Sequence, residues 1–428
     1  MYDDIRELLE FINQSTSPWH TAEASARLLK QAGFEELVWG DSWKIEEGKG
    51  YYTKVFGSTL LAFRKGKARD NNQGPELRIA AAHTDFPGFR LKPRASMLAE
   101  GYGILNVESY GGLILSTWQD RPLSMAGKIV LKGEGPFSPD VRLIDFGRPL
   151  LTIPSLAIHM NKKVNDGIAL NKQKDMLPLA AVFGKNADAE YMNSFLAHEL
   201  GCFKEDILSY ELNLYPYEGG CQLGLAGELV SAGRLDNITS VMACLKGMIN
   251  SKAAGLQVIA LFDNEEIGSR TKQGADSGIL LMLLKRIYAA SGIAEEILIR
   301  DIADGFMLSV DVAHGVHPDY LSKSDPTNKP VLGGGAVLKQ AAVQSYAGDA
   351  EAVSIVSSIC QENGIPYQQF VNRSDMPGGA TLGSIASSLV PMRTMDIGLP
   401  ILAMHSARET MGSADQSALN RLIEAFLR

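Results

Sequence analysis

A chain of 428 residues, 45% hydrophobic and 21% charged, carries enough apolar surface for one large or two ordinary globular cores, which excludes a disordered or fibrous protein. Its formal net charge of −8 leaves no basic excess to neutralise phosphates and argues against nucleic-acid and acidic-membrane binding. Four cysteines without a C-x-x-C pair, an acidic amphipathic N-terminus and no apolar run of membrane-spanning length point to reduced thiols in a cytoplasmic protein.

Apolar residues recur at helical spacing over 2–14 (Ile5, Leu8, Leu9, Phe11, Ile12) and 20–33 (Ala22, Ala26, Leu28, Leu29). The break between them, Ser15-Thr16-Ser17-Pro18, supplies capping residues. Strand-like pieces follow at Tyr51–Phe56, Thr59–Arg64 and Leu77–Ala82, and the last runs directly into His83-Thr84-Asp85. From about Leu91 to Gly227 the texture changes to Gly-Gly turns, β-rich pieces such as Gly127–Lys132, and a stretch over 133–155 that reads as loop. After Leu229, apolar strands alternate with helices: Asp236–Asn250 (helix), Leu256–Phe262 (strand), Ile279–Ala290 (helix), Phe306–Val310 (strand), Ala350–Glu362 (helix) and Pro400–Met404 (strand). The simplest organisation is an α/β domain with a mixed sheet, residues 1–93 plus 229–428, interrupted by an inserted, largely β module over 94–228.

Polar residues of one chemical kind collect where these apolar runs end. Asp263, Glu265 and Glu266 fall within four positions after the strand at Leu256–Phe262, and carboxylates so close disfavour one another's ionisation unless a cation sits among them. Of two adjacent glutamates, one can ligate a metal while the other accepts a proton as general base. His83 follows a strand, and Asp85 two residues on can accept its second ring N–H; the pair also fits an ordinary loop histidine followed by a capping aspartate. Asp236, in Gly233-Arg234-Leu235-Asp236-Asn237, fits a bridging ligand or a helix N-cap, and locally the cap fits better. Asp311 and His405 each end an apolar run, with His314 and His317 close behind Asp311, and each also fits a plain strand-end loop. Taken together, two histidines, three carboxylates and a spare glutamate match two divalent ions with nitrogen and oxygen ligands, zinc first and manganese or cobalt next.

The sequence resembles the aspartyl aminopeptidase family of zinc metallopeptidases over nearly its whole length. Seven ordered motifs carry the resemblance: Ala82-His83-Thr84-Asp85-Phe86-Pro87-Gly88-Phe89 with Lys92-Pro93; Tyr110-Gly111-Gly112 with Thr117-Trp118-Gln119-Asp120-Arg121; Ile153-Pro154-Ser155-Leu156-Ala157-Ile158-His159-Met160; Arg234-Leu235-Asp236-Asn237; Asp263-Asn264-Glu265-Glu266-Ile267-Gly268-Ser269 with Gln273-Gly274-Ala275; Asp311-Val312-Ala313-His314 with His317-Pro318; and Met404-His405-Ser406 with Arg408-Glu409. The resemblance implies a zinc-peptidase catalytic domain with an inserted dimerisation domain. It implies that His83, Asp236 and Asp311 bind one metal, that Asp236, Glu266 and His405 bind a second, that Glu265 is the general base, and that Asp85 orients His83. It further implies that His159 serves the partner subunit's active site, that dimers build a tetrahedral dodecamer, and that Lys339 with His314 selects an N-terminal Asp or Glu on peptide substrates. Two places depart from the family pattern: two glycines after Tyr110 with Asp120-Arg121-Pro122-Leu123, and Gly378-Gly379-Ala380-Thr381-Leu382-Gly383. Both bear on assembly and specificity more than on the chemistry. The alternatives are a neutral-residue or broad aminopeptidase, a dinuclear deacylase of N-acyl amino acids, and a scaffold without activity.

Overall fold

The apolar runs become strands of a nine-stranded sheet. A computed structural model describes residues 3–67, 76–184, 188–251, 254–376 and 378–428. Two compact units emerge, one of residues 1–85, 220–404 and 409–428, the other of residues 86–219 and 405–408.

The first unit is built on β1 (Glu35–Glu36), β2 (Gly50–Val55), β3 (Thr59–Lys65), β4 (Leu77–His83), β5 (Leu256–Phe262), β6 (Phe306–Val310), β7 (Ala336–Gln340), β8 (Tyr367–Val371) and β9 (Arg393–Gly398), in the spatial order β1-β2-β3-β5-β4-β6-β9-β7-β8. The four strands β5, β4, β6 and β9 run parallel, so their C-terminal ends reach one edge, where Phe262 pairs with His83. Their residues are buried on both faces, which is why they read as continuous apolar runs. One face packs Ile79, Ala81, Val258 and Ala260 with Leu283, Leu284 and Ile287 of the helix Ile279–Ala290. The opposite side carries the helices Leu235–Asn250 and Ser413–Leu427, whose apolar residues are almost all inaccessible. A smaller five-stranded sheet contains Cys221–Leu223, Leu229–Ala232, Glu409–Gly412, Pro400–Leu402 and Ala313–His314. None of the described helices is long and apolar enough to cross a membrane.

The second unit is a six-stranded antiparallel sheet with the helix Tyr191–Leu200 against it and a core that includes Phe89, Trp118, Leu123, Met125, Leu212 and Leu214.

Three sequence expectations change. The chain leaves the first unit at Asp85 rather than near Pro93, because the strand Gly88–Ala99 belongs wholly to the six-stranded sheet. It returns at Gly220 rather than Leu229, because Cys221–Leu223 already pairs with Leu229–Ala232. The stretch 133–155 is not simply loop: the strands Leu123–Gly135 and Ser138–Asp145 form a hairpin closed by Gly135 opposite Ser138. Its second strand is largely exposed, and its short Val141–Leu143 alternation buries no face.

Candidate metal centre

The site grows from the ends of the parallel strands. His83 closes β4 and is 1% exposed. Its Nε2 lies 3.4 Å from Asp236 Oδ1, 3.6 Å from Asp311 Oδ1 and 3.9 Å from Glu265 Oε2. Its Nδ1 is 3.0 Å from the main-chain oxygen of Asp85 and 3.4 Å from the Asp85 carboxylate. The imidazole is therefore oriented first by the Asp85 carbonyl and only second by its side chain.

The Asp85 carboxylate has another task. Its two oxygens accept the backbone N–H groups of Glu265 and Glu266, each at 3.1 Å. One buried aspartate thus ties the end of β4 to the turn after β5. That turn is shaped by Asn264 in the left-handed region (φ 64), which asparagine tolerates better than most residues. Asp263 accepts the Asn264 N–H at 2.7 Å and an N–H of the Gln273 amide at 3.2 Å, and Asn264 Oδ1 accepts the Thr271 hydroxyl at 2.8 Å. Asp263, which the motif match left without a role, is the internal brace of this turn.

Asp236 follows Arg234, whose φ is 62, and its own backbone (φ −81, ψ 105) is not helical. Asn237 is likewise outside the helical region, so the regular helix begins after this turn, and no side-chain capping bond is made at Arg234. Its backbone N–H donates to Glu409 at 3.1 Å, and the neighbouring Asn237 amide donates to the carbonyl of Val310 at 2.9 Å. Asn237 and Glu409 hold the Asp236 turn against the end of β6; neither was picked out as a site residue from the sequence. Asp311, the residue directly after Val310, is fixed by its N–H donating to the Ile397 carbonyl of β9 at 2.8 Å.

Among the described residues of the first unit, two groups of donor atoms result, His83 with Asp236 and Asp311, and His83 with Glu265 and Glu266, the atoms of each within 4.8 Å of one another. Burial first, and then the neighbouring negative charges, push the Glu265 carboxyl up to about 8 and the Glu266 carboxyl well above the usual range; the charge of His83 opposes both. Asp263 is pushed up to about 6 by burial and by Asp85. Burial pulls His83 down, but hydrogen bonds to Asp236, Asp311 and Asp85 outweigh it and hold the imidazole well above its ordinary value. Packed carboxylates that resist ionisation around one histidine are what a divalent cation relieves, and nitrogen plus carboxylate oxygen donors suit zinc. The donor set fits the metal.

The remaining sequence candidates lie as follows. Lys339 on β7 is 1% exposed; its ammonium donates to the Val312 carbonyl at 3.1 Å and sits 3.6 Å from Asp311 Oδ2. His314 is exposed with its ring 6.1 Å from that of Phe370. His317 accepts the Asp319 N–H and caps a short turn. His405 (φ 66) lies in the segment 405–408 of the second unit, where its carbonyl accepts the Ile114 N–H at 3.2 Å. His159 lies in the same unit on an exposed segment whose Leu156, Ile158 and Met160 are also exposed.

Comparison with known proteins gives a consistent result. Residues 11–427 match the family described as Aminopeptidase I zinc metalloprotease (M18). The chain is 41% identical over 424 residues to the probable M18 family aminopeptidase 2 of Clostridium acetobutylicum, spanning 98% of each protein. It is 36% identical over 422 residues to the probable M18 family aminopeptidase 2 of Pseudomonas syringae pv. syringae, spanning 98% of this chain and 96% of that one. Among solved structures, the fold is similar to one in the cryo-EM structure of the Ape4 and Nbr1 complex, with TM-score 0.93, 32% identity, and coverage of 99% of this chain and 85% of that chain. It is also similar to the S. cerevisiae mApe1 dodecamer, with TM-score 0.84, 26% identity, and coverage of 99% and 96%.

Proposed function

The chain belongs to the M18 family of zinc aminopeptidases, and from that premise we propose that it removes N-terminal Asp or Glu from peptides with two metal ions per subunit. His83, Asp236 and Asp311 would hold one ion, and Asp236, Glu266 and His405 the other, with Asp236 shared. Bound zinc supplies Lewis-acid polarisation of the scissile carbonyl and of the attacking water. Glu265 takes the proton from that water and passes it to the leaving amine.

The observation that carries this reading is the placement of the paired glutamates. Both backbones are anchored by Asp85, which sets the Glu265 carboxylate 3.9 Å from His83 Nε2, beside the donor group His83, Asp236 and Asp311. Asp85 is the positioning residue for both His83 and this pair.

Three finer points complete the proposal. His159, on an exposed apolar segment, would act in the partner subunit's site as an oxyanion donor. The dimers would assemble into a tetrahedral dodecamer, as suits similarity to a protein solved as a dodecamer. Lys339 and His314 would select the acidic side chain. One observation favours the competing neutral-residue specificity: the Lys339 ammonium already has the Val312 carbonyl and Asp311 as partners. Hydrolysis of Asp-, Glu-, Leu- and Lys-terminated dipeptides, run side by side on zinc-loaded protein, decides between them. The acidic-preference reading expects Asp and Glu to lead; fast Leu with negligible Asp cleavage overturns it. N-acetylated versions of the same dipeptides should be inert, and their hydrolysis would indicate a deacylase instead.

A further inference from the structure

Beneath the metal centre, the sheet carries a charged row that the proposed chemistry does not use. Ala81 of β4 pairs with Ser309 of β6, Ser309 with Asp396 of β9, and Asp396 with Lys339 of β7. Ser309 is two residues before Asp311, so this row lies one step below the strand ends that hold the site. Asp396 is fully buried and accepts three neutral donors: the Ser309 hydroxyl at 2.5 Å, the Thr381 hydroxyl at 2.8 Å and the Ala347 N–H at 2.5 Å. Gly383 leaves it room, since a Cβ there would lie 2.6 Å from Asp396 Oδ2 and from Ser309 Cβ.

Neutral donors satisfy a carboxylate without cancelling its charge, and a buried uncancelled charge is expensive. The opposite charge is directly across the strands. Lys339 faces Asp396 in an antiparallel pair, where β-carbons are about 5 Å apart, and on its other side lies 3.6 Å from Asp311 Oδ2. One buried ammonium therefore feels two carboxylates, Asp311 at 3.6 Å and Asp396 on the facing strand. An ammonium paired with Asp311 alone would compete with a metal for that carboxylate, and in a buried setting that competition is strong.

We propose that Asp396 is a positioning residue for the metal ligand Asp311: as the second anion on Lys339 it shares the ammonium and leaves the Asp311 charge available to zinc. This rests on the reading that Asp311 ligates, and it assigns Lys339 a duty toward the metal besides any toward substrate. Asp396→Asn keeps the shape and removes the charge, so Lys339 acts on Asp311 alone.

The test is zinc affinity, measured by chelator competition on the full-length protein, for five variants. Asp396→Asn should weaken zinc binding roughly tenfold, the scale typical of residues that support metal ligands. Asp396→Asn combined with Lys339→Met removes the competitor as well and should recover most of that loss. Ser309→Ala deletes one hydrogen bond but no charge and should stay near wild type. Lys339→Met alone should not weaken zinc, and Asp311→Asn should weaken it strongly. Unchanged affinity in Asp396→Asn overturns the inference. So does a double variant no better than Asp396→Asn, or a Ser309→Ala loss as large as that of Asp396→Asn, since either would make the role one of shape alone. If Asp311→Asn itself binds zinc normally, the ligand reading fails and this inference with it; if Asp311→Asn loses zinc while Asp396→Asn does not, only the inference fails.

Discussion

Stripping the metal should invert the pH dependence of stability. In the metal-free protein, Glu265 is held at about 8 against an ordinary 4.5, mainly by burial. A carboxyl whose folded value is raised is protonated in the folded state where the unfolded chain has already ionised, so the folded state binds more protons and stability falls as pH rises. At about 1.4 kcal/mol per unit, the rise from 4.5 to about 8 corresponds to on the order of 5 kcal/mol lost between about pH 4.5 and 8 from Glu265. Asp263, raised from 3.8 to about 6, and Asp415, raised likewise to about 6 by burial, act in the same direction at the lower end of that window. His83, raised well above 6.5, adds stability at low pH that is lost as pH climbs through its folded value, again the same sign. Bound zinc favours the ionised ligands and removes the penalty. The assay is thermal unfolding of chelator-stripped and zinc-reconstituted protein at constant ionic strength from about pH 5 to about pH 8. The stripped protein should melt at progressively lower temperature across that range, with the gap to the zinc form widening. A metal-free melting temperature that is flat or rising over the window would refute the account of the cluster.

Other perturbations probe the surrounding framework. A Cβ at Gly398 would lie 1.7 Å from the Asp311 carbonyl oxygen, so Gly398→Ala should destabilise by about 1–3 kcal/mol and lower zinc content; wild-type melting and metal content would contradict that placement. Lys339→Met should reduce kcat/KM for Asp-terminated dipeptides far more than for Leu-terminated ones, and an equal change in both would remove Lys339 from specificity. His159→Ala should lower kcat by about 10²-fold, as removal of an oxyanion donor does, with zinc content intact; undiminished turnover would leave His159 no role beyond the surface.

Much of this site was legible because its residues end apolar runs. His83, Asp311 and the Asp263–Glu266 cluster were found that way, and β4, β5 and β6 were expected at nearly their observed bounds. What the pattern cannot supply is lateral order. That β5, β4 and β6 are neighbours, with Phe262 beside His83, depends on pairing between segments far apart in sequence. Strands β7 and β9 were missed for a related reason. Each buries a charge, Lys339 or Asp396, which breaks the apolar run, and only the register shows that the two residues face one another across the strands. Asp236 was ambiguous between cap and ligand because both roles put an aspartate before a helix. What the sequence could not show is its neighbour across the fold: Asp236 Oδ1 lies 3.4 Å from His83 Nε2. The hydrogen bonds donated by the Glu265 and Glu266 N–H groups to Asp85 left no trace in the sequence, since they join residues 180 and 181 positions apart.

In the proposed mechanism Glu265 moves the proton while its neighbours hold the metal. Glu265→Gln preserves the shape of the turn and the backbone bond to Asp85 while removing the basic oxygen. Turnover of the best dipeptide and zinc content, measured on the same preparation, give the most direct test. Loss of at least about 10²-fold in kcat with near-wild-type zinc is the predicted result. A variant that retains both zinc and turnover would contradict the assignment.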